Sequence, residues 1–214
     1  MSAKVKICGI TRPEDARLAV ESGAWAIGMV FHPESPRCVD HERAAEIASA
    51  YRRRCEVAGV FVNTPLDDIL NTLGSVPLTM LQLHGDEGPA YCAEAKRRSG
   101  LKVIKAVRAK DAHAIRALSA FPTDFHMVDA YVPGTYGGTG ERVDWELAAA
   151  HPGATPLILS GGLTAENVGE ALAMVRPFAV DVSSGVEAGP GIKDPYRLQS
   201  FFDAVRSATA ARQG

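Results

Sequence analysis

The chain has 214 residues, of which 46% are hydrophobic and 22% charged, and its formal net charge is −2. A nucleic-acid partner would require a basic excess, and a membrane span would require roughly 20 consecutive apolar residues; the sequence has neither, so it excludes both classes. The start has no apolar signal segment and the four cysteines form no CxxC pair, so we expect a cytoplasmic protein with reduced thiols and one domain over residues 1–214.

Eight apolar, β-branched runs recur at intervals of roughly 20 to 30 residues and predict strands. Their nearly continuous apolarity is typical of parallel strands that are buried on both faces. The runs lie at 5–8, 26–31, 57–62, 78–83, 102–107, 125–130, 156–161 and 178–183.

Amphipathic segments between these runs predict helices, for example at 13–23, 40–54, 65–74, 88–100, 111–121 and 164–175. Eight strand-then-helix units in a chain of this length predict an α/β fold, a single (β/α)₈ TIM barrel. A doubly wound sheet is the competing fold. It normally carries a GxGxxG or GxxxxGK[ST] loop, and neither motif occurs in the sequence.

Reactive residues of such barrels come from the C-terminal ends of strands, and two candidates stand there. Cys8 follows the first strand, where it either fills the core or acts as a reagent at the mouth of a site. Asp129 ends the sixth strand, where it is either a general acid or a cap for its own loop. The long loop after it, YVPGTYGGTGERVDW at 131–145, is either a functional lid or a surface insertion.

Glycine-rich turns follow the seventh and eighth strands, at SGGL (160–163) and DVSSGVEAGPGIKD (181–194). Glycine lets backbone amides approach an anion closely, and the usual phosphate site of these barrels lies at these two loops. We therefore expect these two turns to bind a phosphate group. The alternative is that they are ordinary turns without a ligand. Lys193, within the second segment, is interpreted as a surface residue.

Three further polar residues stand at strand ends. Arg37, after the second strand, suits a planar carboxylate, with an ordinary surface arginine as the alternative. Gln82 and His84 share one face of the fourth strand, and that face points toward the barrel axis or its rim. A metal site at His84 and Asp86 is not favoured because no third ligand stands nearby.

Taken together, these motifs resemble the phosphoribosylanthranilate isomerase family, barrel enzymes of tryptophan biosynthesis. The matching stretches lie in order between residues 4 and 194. They are KICGIT, FHPESPR, VAGVFVN, LQLHGDE, VDAYVPGTYGGTGERVDW, SGGLTAENV and DVSSGVEAGPGIKD. The resemblance implies a cofactor-independent Amadori rearrangement of N-(5-phosphoribosyl)anthranilate to 1-(2-carboxyphenylamino)-1-deoxyribulose 5-phosphate, without a metal.

The same resemblance implies roles for individual residues. Cys8 corresponds to the general base and Asp129 to the general acid, while Arg37 would hold the anthranilate carboxylate. The remaining substrate-binding candidates are Gln82, His84, Gly138, Gly161, Gly162, Ser184 and Gly185, the last four for the phosphate. One departure is Ala130, where the family commonly has a serine after the acid.

Two rival functions remain open from the sequence alone. An aldolase or synthase on the same phosphate-binding barrel would use a lysine Schiff base, and Lys105 is the one lysine that we expect inside a strand and within reach of the barrel. A non-catalytic phosphate-ligand-binding barrel is the other. The sequence shows no heptad pattern or aggregation-prone surface, so a monomer is the expected state and a homodimer the alternative.

Overall fold

The computed structural model describes residues 3–108, 110–129 and 144–210. All eight predicted strands are present there and differ from the prediction by one or two residues at their ends. They are β1 (Lys4–Ile7), β2 (Ala26–Val30), β3 (Glu56–Phe61), β4 (Met80–Leu83), β5 (Lys102–Arg108), β6 (Phe125–Asp129), β7 (Leu157–Leu159) and β8 (Ala179–Val182).

The strands pair in parallel and in chain order, and β1 also pairs with β8. That last pairing runs from Lys4 opposite Ala179 to Ile7 opposite Val182, so the sheet closes on itself. The prediction of a (β/α)₈ barrel is thereby confirmed, and the open doubly wound sheet is excluded because such a sheet keeps two free edges.

Helices follow the strands and cover the outside of the barrel. They are α1 (Pro13–Glu21), α2 (His41–Tyr51), α3 (Leu66–Ser75), α4 (Pro89–Ser99), α5 (Ala112–Ala117), α6 (Trp145–Ala149), α7 (Val168–Val175) and α8 (Pro195–Ala210). Local signals set several of their ends. The Asp40 side chain accepts the Arg43 amide at the start of α2, and Gly100 ends α4 in a left-handed conformation, φ 67°.

Two short elements extend the eighth unit. A 3₁₀ turn (Ser184–Val186) leads into an antiparallel hairpin of β9 (Glu187–Gly189) and β10 (Ile192–Lys193). The hairpin returns the chain to the start of α8, and it places Glu187 and Lys193 beside the loops that follow β1 and β2.

Side-chain alternation along each strand divides the core into two layers. Outward-facing residues pack beneath the helices, while Ala58, Met80, Ile104, Ala106 and Met127 fill the barrel interior. The interior is therefore packed with side chains and is not a pore.

The two ends of the barrel differ in chemistry. Trp25, Phe125 and Phe178 close the N-terminal end with ring centroids 5.3–5.4 Å apart, and the Lys4 ammonium lies 5.3 Å from the Phe178 ring centroid. The C-terminal end is lined by polar groups and glycine turns. Within the described ranges no helix has the length and apolarity that crossing a bilayer demands.

Candidate active site

A cavity opens at the C-terminal end of the barrel, where the fold places its loops. Its empty volume, including the open mouth, is about 760 Å³. It brings together every predicted site residue that the structure describes. These are Cys8, Arg37, Gln82, His84, Asp129, Gly161, Gly162, Ser184 and Gly185. Gly138 and Ala130 lie outside the described residues.

Cys8 stands directly after β1, and only 9% of it is exposed. Its backbone amide donates to the carbonyl of Val182 at 2.9 Å, which continues the pairing of β1 with β8 beyond the strand. Burial raises the pKa of the Cys8 thiol, and the positive charge of Lys6 is the strongest influence in the opposite direction. The thiol is thus almost fully buried and lies close to the Lys6 ammonium.

Asp129 ends β6 on another side of the cavity, with 4% of the residue exposed. Its Oδ2 lies 3.2 Å from His84 Nε2, and His84 Nδ1 lies 2.8 Å from Gln82 Nε2. Gln82 and His84 share a strand face as predicted, and the structure adds that they form a hydrogen-bonded chain ending on Asp129. The tautomer of His84 decides whether it donates to the carboxyl group or accepts from it.

The two glycine turns meet at the cavity wall. Gly161 and Gly162 have φ values of 94° and 61°, which other residues rarely adopt. A Cβ on Gly185 would lie 2.0 Å from the Leu163 carbonyl oxygen, so only glycine allows the turns to approach this closely. Among the described residues, the backbone amides of Gly161, Gly162 and Gly185 have no acceptor, and free amides of this kind can bind a phosphate.

Asn167 shapes the first of these turns, and no sequence motif pointed to this role. Its Oδ1 accepts the amide of Thr164 and its Nδ2 donates to the carbonyl of Gly162, both at 2.9 Å. These bonds keep 164–167 as a turn, so α7 begins at Val168 rather than at the predicted residue 164. The bond from Asn167 to the Gly162 carbonyl holds the glycine turn against the turn that precedes α7.

Arg37 reaches the cavity rim from the loop after β2. Its guanidinium forms a fork with Glu187, with Nε 2.9 Å from Oε1 and Nη2 2.7 Å from Oε2. Although burial opposes it, the hydrogen bond from Arg37 and the charge of Lys193 hold the pKa of Glu187 below its usual value. One edge of the Arg37 fork is therefore already paired, and its Nη1 has no partner among the described residues.

The interpretation of Lys193 as a surface residue is wrong. Its residue is 2% exposed, and its ammonium donates to Glu187 Oε1 at 2.8 Å and to the backbone oxygen of Cys8 at 2.5 Å. The hairpin β9–β10 carries the side chain under the loop that contains Cys8. Lys193 thus connects the Arg37–Glu187 pair with the backbone at Cys8.

The prediction that Lys105 reaches the barrel interior is also wrong. Its neighbours on β5, Ile104 and Ala106, fill the interior, so alternation turns Lys105 outward. There its ammonium pairs with Glu87 at 2.7 Å and donates to the carbonyl of Gly85 at 2.8 Å. The Schiff-base alternative loses its proposed lysine.

Lys6 on β1 is a strand lysine that does point inward, and its residue is 0% exposed. Its ammonium pairs with Asp181 of β8 at 2.7 Å, and the hydroxyl of Ser160 lies 3.3 Å from the other oxygen of Asp181. The alternation of Lys6 with Val5 and Ile7 was the available signal, since Cys8 lies on the same face two residues later. In the part of the chain that the structure describes, no three His, Cys, Asp or Glu side chains are placed to hold a metal ion.

Comparison with known proteins gives one consistent result. The family model of N-(5'-phosphoribosyl)anthranilate (PRA) isomerase matches residues 5–204. The chain is 48% identical over 199 residues to the N-(5'-phosphoribosyl)anthranilate isomerase of Geobacter sulfurreducens, which covers 93% of this chain and 96% of that protein.

Solved structures agree with this similarity. One contains monomers generated from the dimeric phosphoribosylanthranilate isomerase of Thermotoga maritima; it has a TM-score of 0.84 and 40% identity over 96% of this chain and 99% of that one. Another phosphoribosylanthranilate isomerase structure contains reduced 1-(o-carboxyphenylamino)-1-deoxyribulose 5-phosphate, with a TM-score of 0.83, 40% identity and the same coverage.

Proposed function

The chain belongs to the N-(5'-phosphoribosyl)anthranilate isomerase family and is therefore an isomerase of tryptophan biosynthesis, and we propose that Cys8 is its general base and Asp129 its general acid. The reaction is the Amadori rearrangement of N-(5-phosphoribosyl)anthranilate to 1-(2-carboxyphenylamino)-1-deoxyribulose 5-phosphate.

A shared cavity is the observation that carries the assignment. Cys8 follows β1 and Asp129 ends β6, yet both line the same cavity, together with the two glycine turns after β7 and β8. A sugar phosphate whose phosphate group binds at these turns would therefore have a thiol on one side and a carboxyl group on another. Proton removal from carbon and proton donation to oxygen need two such separately placed groups.

The chemistry balances with these two groups alone. Asp129 in its acid form protonates the furanose ring oxygen, the bond from that oxygen to C1 breaks, and the nitrogen lone pair forms the iminium. The thiolate of Cys8 then removes the C2 proton, the C–H electrons form the C1–C2 double bond of the enolamine, and the C=N π electrons return to nitrogen. The Cys8 thiol gives a proton back to C1 and the Asp129 carboxylate accepts the hydroxyl proton at C2, which yields the ketone and restores both groups. No cofactor enters, so we propose that none is needed.

The chain from Gln82 through His84 to Asp129 suits an acid that changes its protonation state. When Asp129 is charged, His84 with its proton on Nε2 donates to it. When Asp129 carries the proton, His84 in the other tautomer accepts the hydrogen bond from it, and Gln82 accepts from Nδ1 by turning its amide. Gln82 and His84 thus orient the acid in both states, in addition to the substrate contacts that we propose for them.

The two ends of the substrate have matching partners. The amides of Gly161, Gly162 and Gly185, which have no acceptor among the described residues, are assigned to the phosphate together with Ser184. The Nη1 of Arg37, which has no partner in the described ranges, is the donor that we assign to the anthranilate carboxylate, with Glu187 keeping the fork in place. Gly138 is proposed as a further contact on the basis of the family motif alone.

Loss of substrate fluorescence tests the proposal directly. Freshly prepared phosphoribosylanthranilate is mixed with the dialysed protein in the presence and absence of EDTA, and the product is detected through coupled indoleglycerol phosphate synthase. Turnover that is unaffected by EDTA supports cofactor-independent chemistry. Covalent trapping by borohydride in the presence of substrate would instead support the Schiff-base alternative.

Three sequence-based expectations remain proposals. A single domain over residues 1–214 is supported by a barrel that runs from β1 to the end of α8. A cytoplasmic location is supported by four free cysteines. A monomer remains the expected state, and because the Thermotoga maritima relative is described as dimeric, light scattering at micromolar concentration should decide between the two states.

A further inference from the structure

Lys6 takes no part in the proton transfers described above, yet it stands close to them. Its side chain lies inside the barrel and is fully buried, where an ammonium ion costs free energy unless its charge is compensated. Alternation along β1 places it on the same face as Cys8, one layer deeper in the barrel. A lysine in this position is therefore maintained against an electrostatic cost.

Asp181 compensates that charge in part. Lys6 and Asp181 are register partners on β1 and β8, and their ammonium and carboxylate are 2.7 Å apart. Ser160 Oγ lies 3.3 Å from the second carboxylate oxygen. An ammonium has three donors, and this ion pair uses one of them. Among the described residues no other hydrogen-bond acceptor is bonded to this ammonium, so its remaining donors and its charge can act on a neighbouring anion.

Gly28 on β2 opens the space between Lys6 and Cys8. A Cβ at this position would lie 2.9 Å from Cys8 Sγ and also 2.9 Å from Lys6 Nζ. The two atoms are therefore within about 6 Å of each other, a range in which one charge strongly affects the ionisation of its neighbour. Because residue 28 is a glycine, this position places no side chain against the thiol or the ammonium.

Other charged groups also face Cys8, but most of them are committed elsewhere. Lys193 from β10 is bonded to Glu187 and to the Cys8 carbonyl, and Arg37 forms its fork with Glu187. His84 and Asp129 line the far side of the same cavity and are bonded to each other. The Lys6 charge opposes the effect of burial on the Cys8 pKa more strongly than that of Lys193, whereas Asp181 acts in the same direction as burial.

We propose that Lys6 is a positioning residue for the catalytic base: its ammonium stabilises the thiolate of Cys8, and Asp181 both holds that ammonium in place and limits its effect. The inference rests on the proposed role of Cys8 as the base. It gives the buried Lys6–Asp181 pair a function besides stability. Removing Lys6 takes a positive charge away from the thiol, whereas neutralising Asp181 takes away a negative one, so the two changes should shift the ionisation of Cys8 in opposite directions.

Alkylation by iodoacetamide as a function of pH measures the ionisation of Cys8 without requiring catalysis, because only the thiolate reacts. The background variant carries Cys38→Ser, Cys55→Ala and Cys92→Ala, so that Cys8 is the reporting thiol. In that background we expect Lys6→Met to raise the midpoint of the alkylation profile by about one pH unit or more, and Asp181→Asn to lower it.

A purely structural ion pair would give a different pattern. Its loss would lower the midpoint of thermal unfolding in both variants and leave the alkylation midpoint where it was, and that result would overturn the inference. Lys105→Met is the matched control, since it breaks another buried lysine–carboxylate pair, with Glu87, outside the cavity. It should change thermal stability without moving the alkylation midpoint.

The experiment remains decisive if Lys6→Met does not fold. Asp181→Asn alone must then lower the alkylation midpoint, and an unchanged or raised value contradicts the inference. Where Lys6→Met folds, the acidic limb of its kcat/KM profile should move to higher pH by the same amount as its alkylation midpoint, because both report the free enzyme. Normal turnover in Cys8→Ser would remove the proposed base but leave the alkylation result standing, so the two failures can be told apart.

Discussion

The two ends of the barrel are built from the same strands but carry different kinds of side chain. At the N-terminal end, Trp25, Phe125 and Phe178 pack against one another, and the Lys4 ammonium lies over the rings. At the C-terminal end, Cys8 and Asp129 line a cavity, where Lys6 lies near Cys8 and His84 contacts Asp129. The comparison places an aromatic cluster at one end of the barrel and the candidate site at the other, which is the end where this fold carries its active sites.

The largest effects should come from the reactive end. Cys8→Ser and Asp129→Asn each remove one of the two proposed proton-transfer groups, so we expect kcat to fall about a hundredfold or more in each variant. Because both substitutions are nearly isosteric, the midpoint of thermal unfolding should change little. Steady-state fluorescence kinetics measure the first quantity and calorimetry the second. Near-normal turnover in either variant would contradict the role assigned to that residue.

Phe125→Ala tests the packed end. Truncation of this buried ring leaves a cavity among the aromatic side chains, so we expect the free energy of unfolding to fall by about 3 kcal/mol. Turnover at a temperature well below unfolding should stay within about twofold of normal. Urea denaturation measures the loss of stability. A large fall in kcat with an unchanged free energy of unfolding would show that the two ends are coupled rather than separate.

Arg37→Ala tests whether one residue at the C-terminal end affects substrate binding, measured by KM, more than it affects kcat. Loss of a charge-assisted contact to the substrate carboxylate should raise KM about tenfold while kcat changes less. Arg12→Ala is the matched control because Arg12 forms a similar fork with Asp15 and does not line the cavity. If KM and kcat/KM are unchanged in Arg37→Ala, the arginine does not bind the carboxylate.

The smallest effect concerns the free energy of unfolding at acidic pH, which depends on a pair of histidines outside the cavity. His126 on β6 lies 2.9 Å from His151 through their ring nitrogens, and burial, aided by that neighbour, lowers the pKa of His126 from 6.5 to about 4. Between these two pH values His126 is protonated in the unfolded chain but neutral in the folded chain. The free energy of unfolding therefore falls as the pH drops through this window.

At pH 5.5 we therefore expect the free energy of unfolding to be roughly 1 kcal/mol lower than at pH 8 because of this residue. Denaturation curves at the two pH values measure the difference, and His126→Gln should reduce it. His113→Gln is the control, since His113 lies on α5, away from this pair. An equal pH dependence in His126→Gln and in the parent protein would show that this histidine pair is not responsible.

Local patterns were sufficient for the fold and for part of the site. Apolar runs of strand length determined the eight strands, because a strand covered on both faces must be apolar almost throughout. The barrel then fixed which end of each strand carries chemistry, so the order of residues along the chain was enough to assign Cys8, Asp129 and the glycine turns to one rim. The errors at Lys105 and Lys193 arose where a charged side chain was judged without its partner.

The spacing of buried residues and the order of the strands therefore follow from local sequence, since both depend on residues near each other in the chain. The pairing of buried charges follows from contacts between distant segments. Lys6 meets Asp181 across 175 residues, and Arg37 meets Glu187 across 150. Such pairs form because closing the barrel brings β1 beside β8 and the final hairpin beside the second loop. A buried charge needs a partner of opposite sign, and for these two pairs the partner comes from a distant part of the chain.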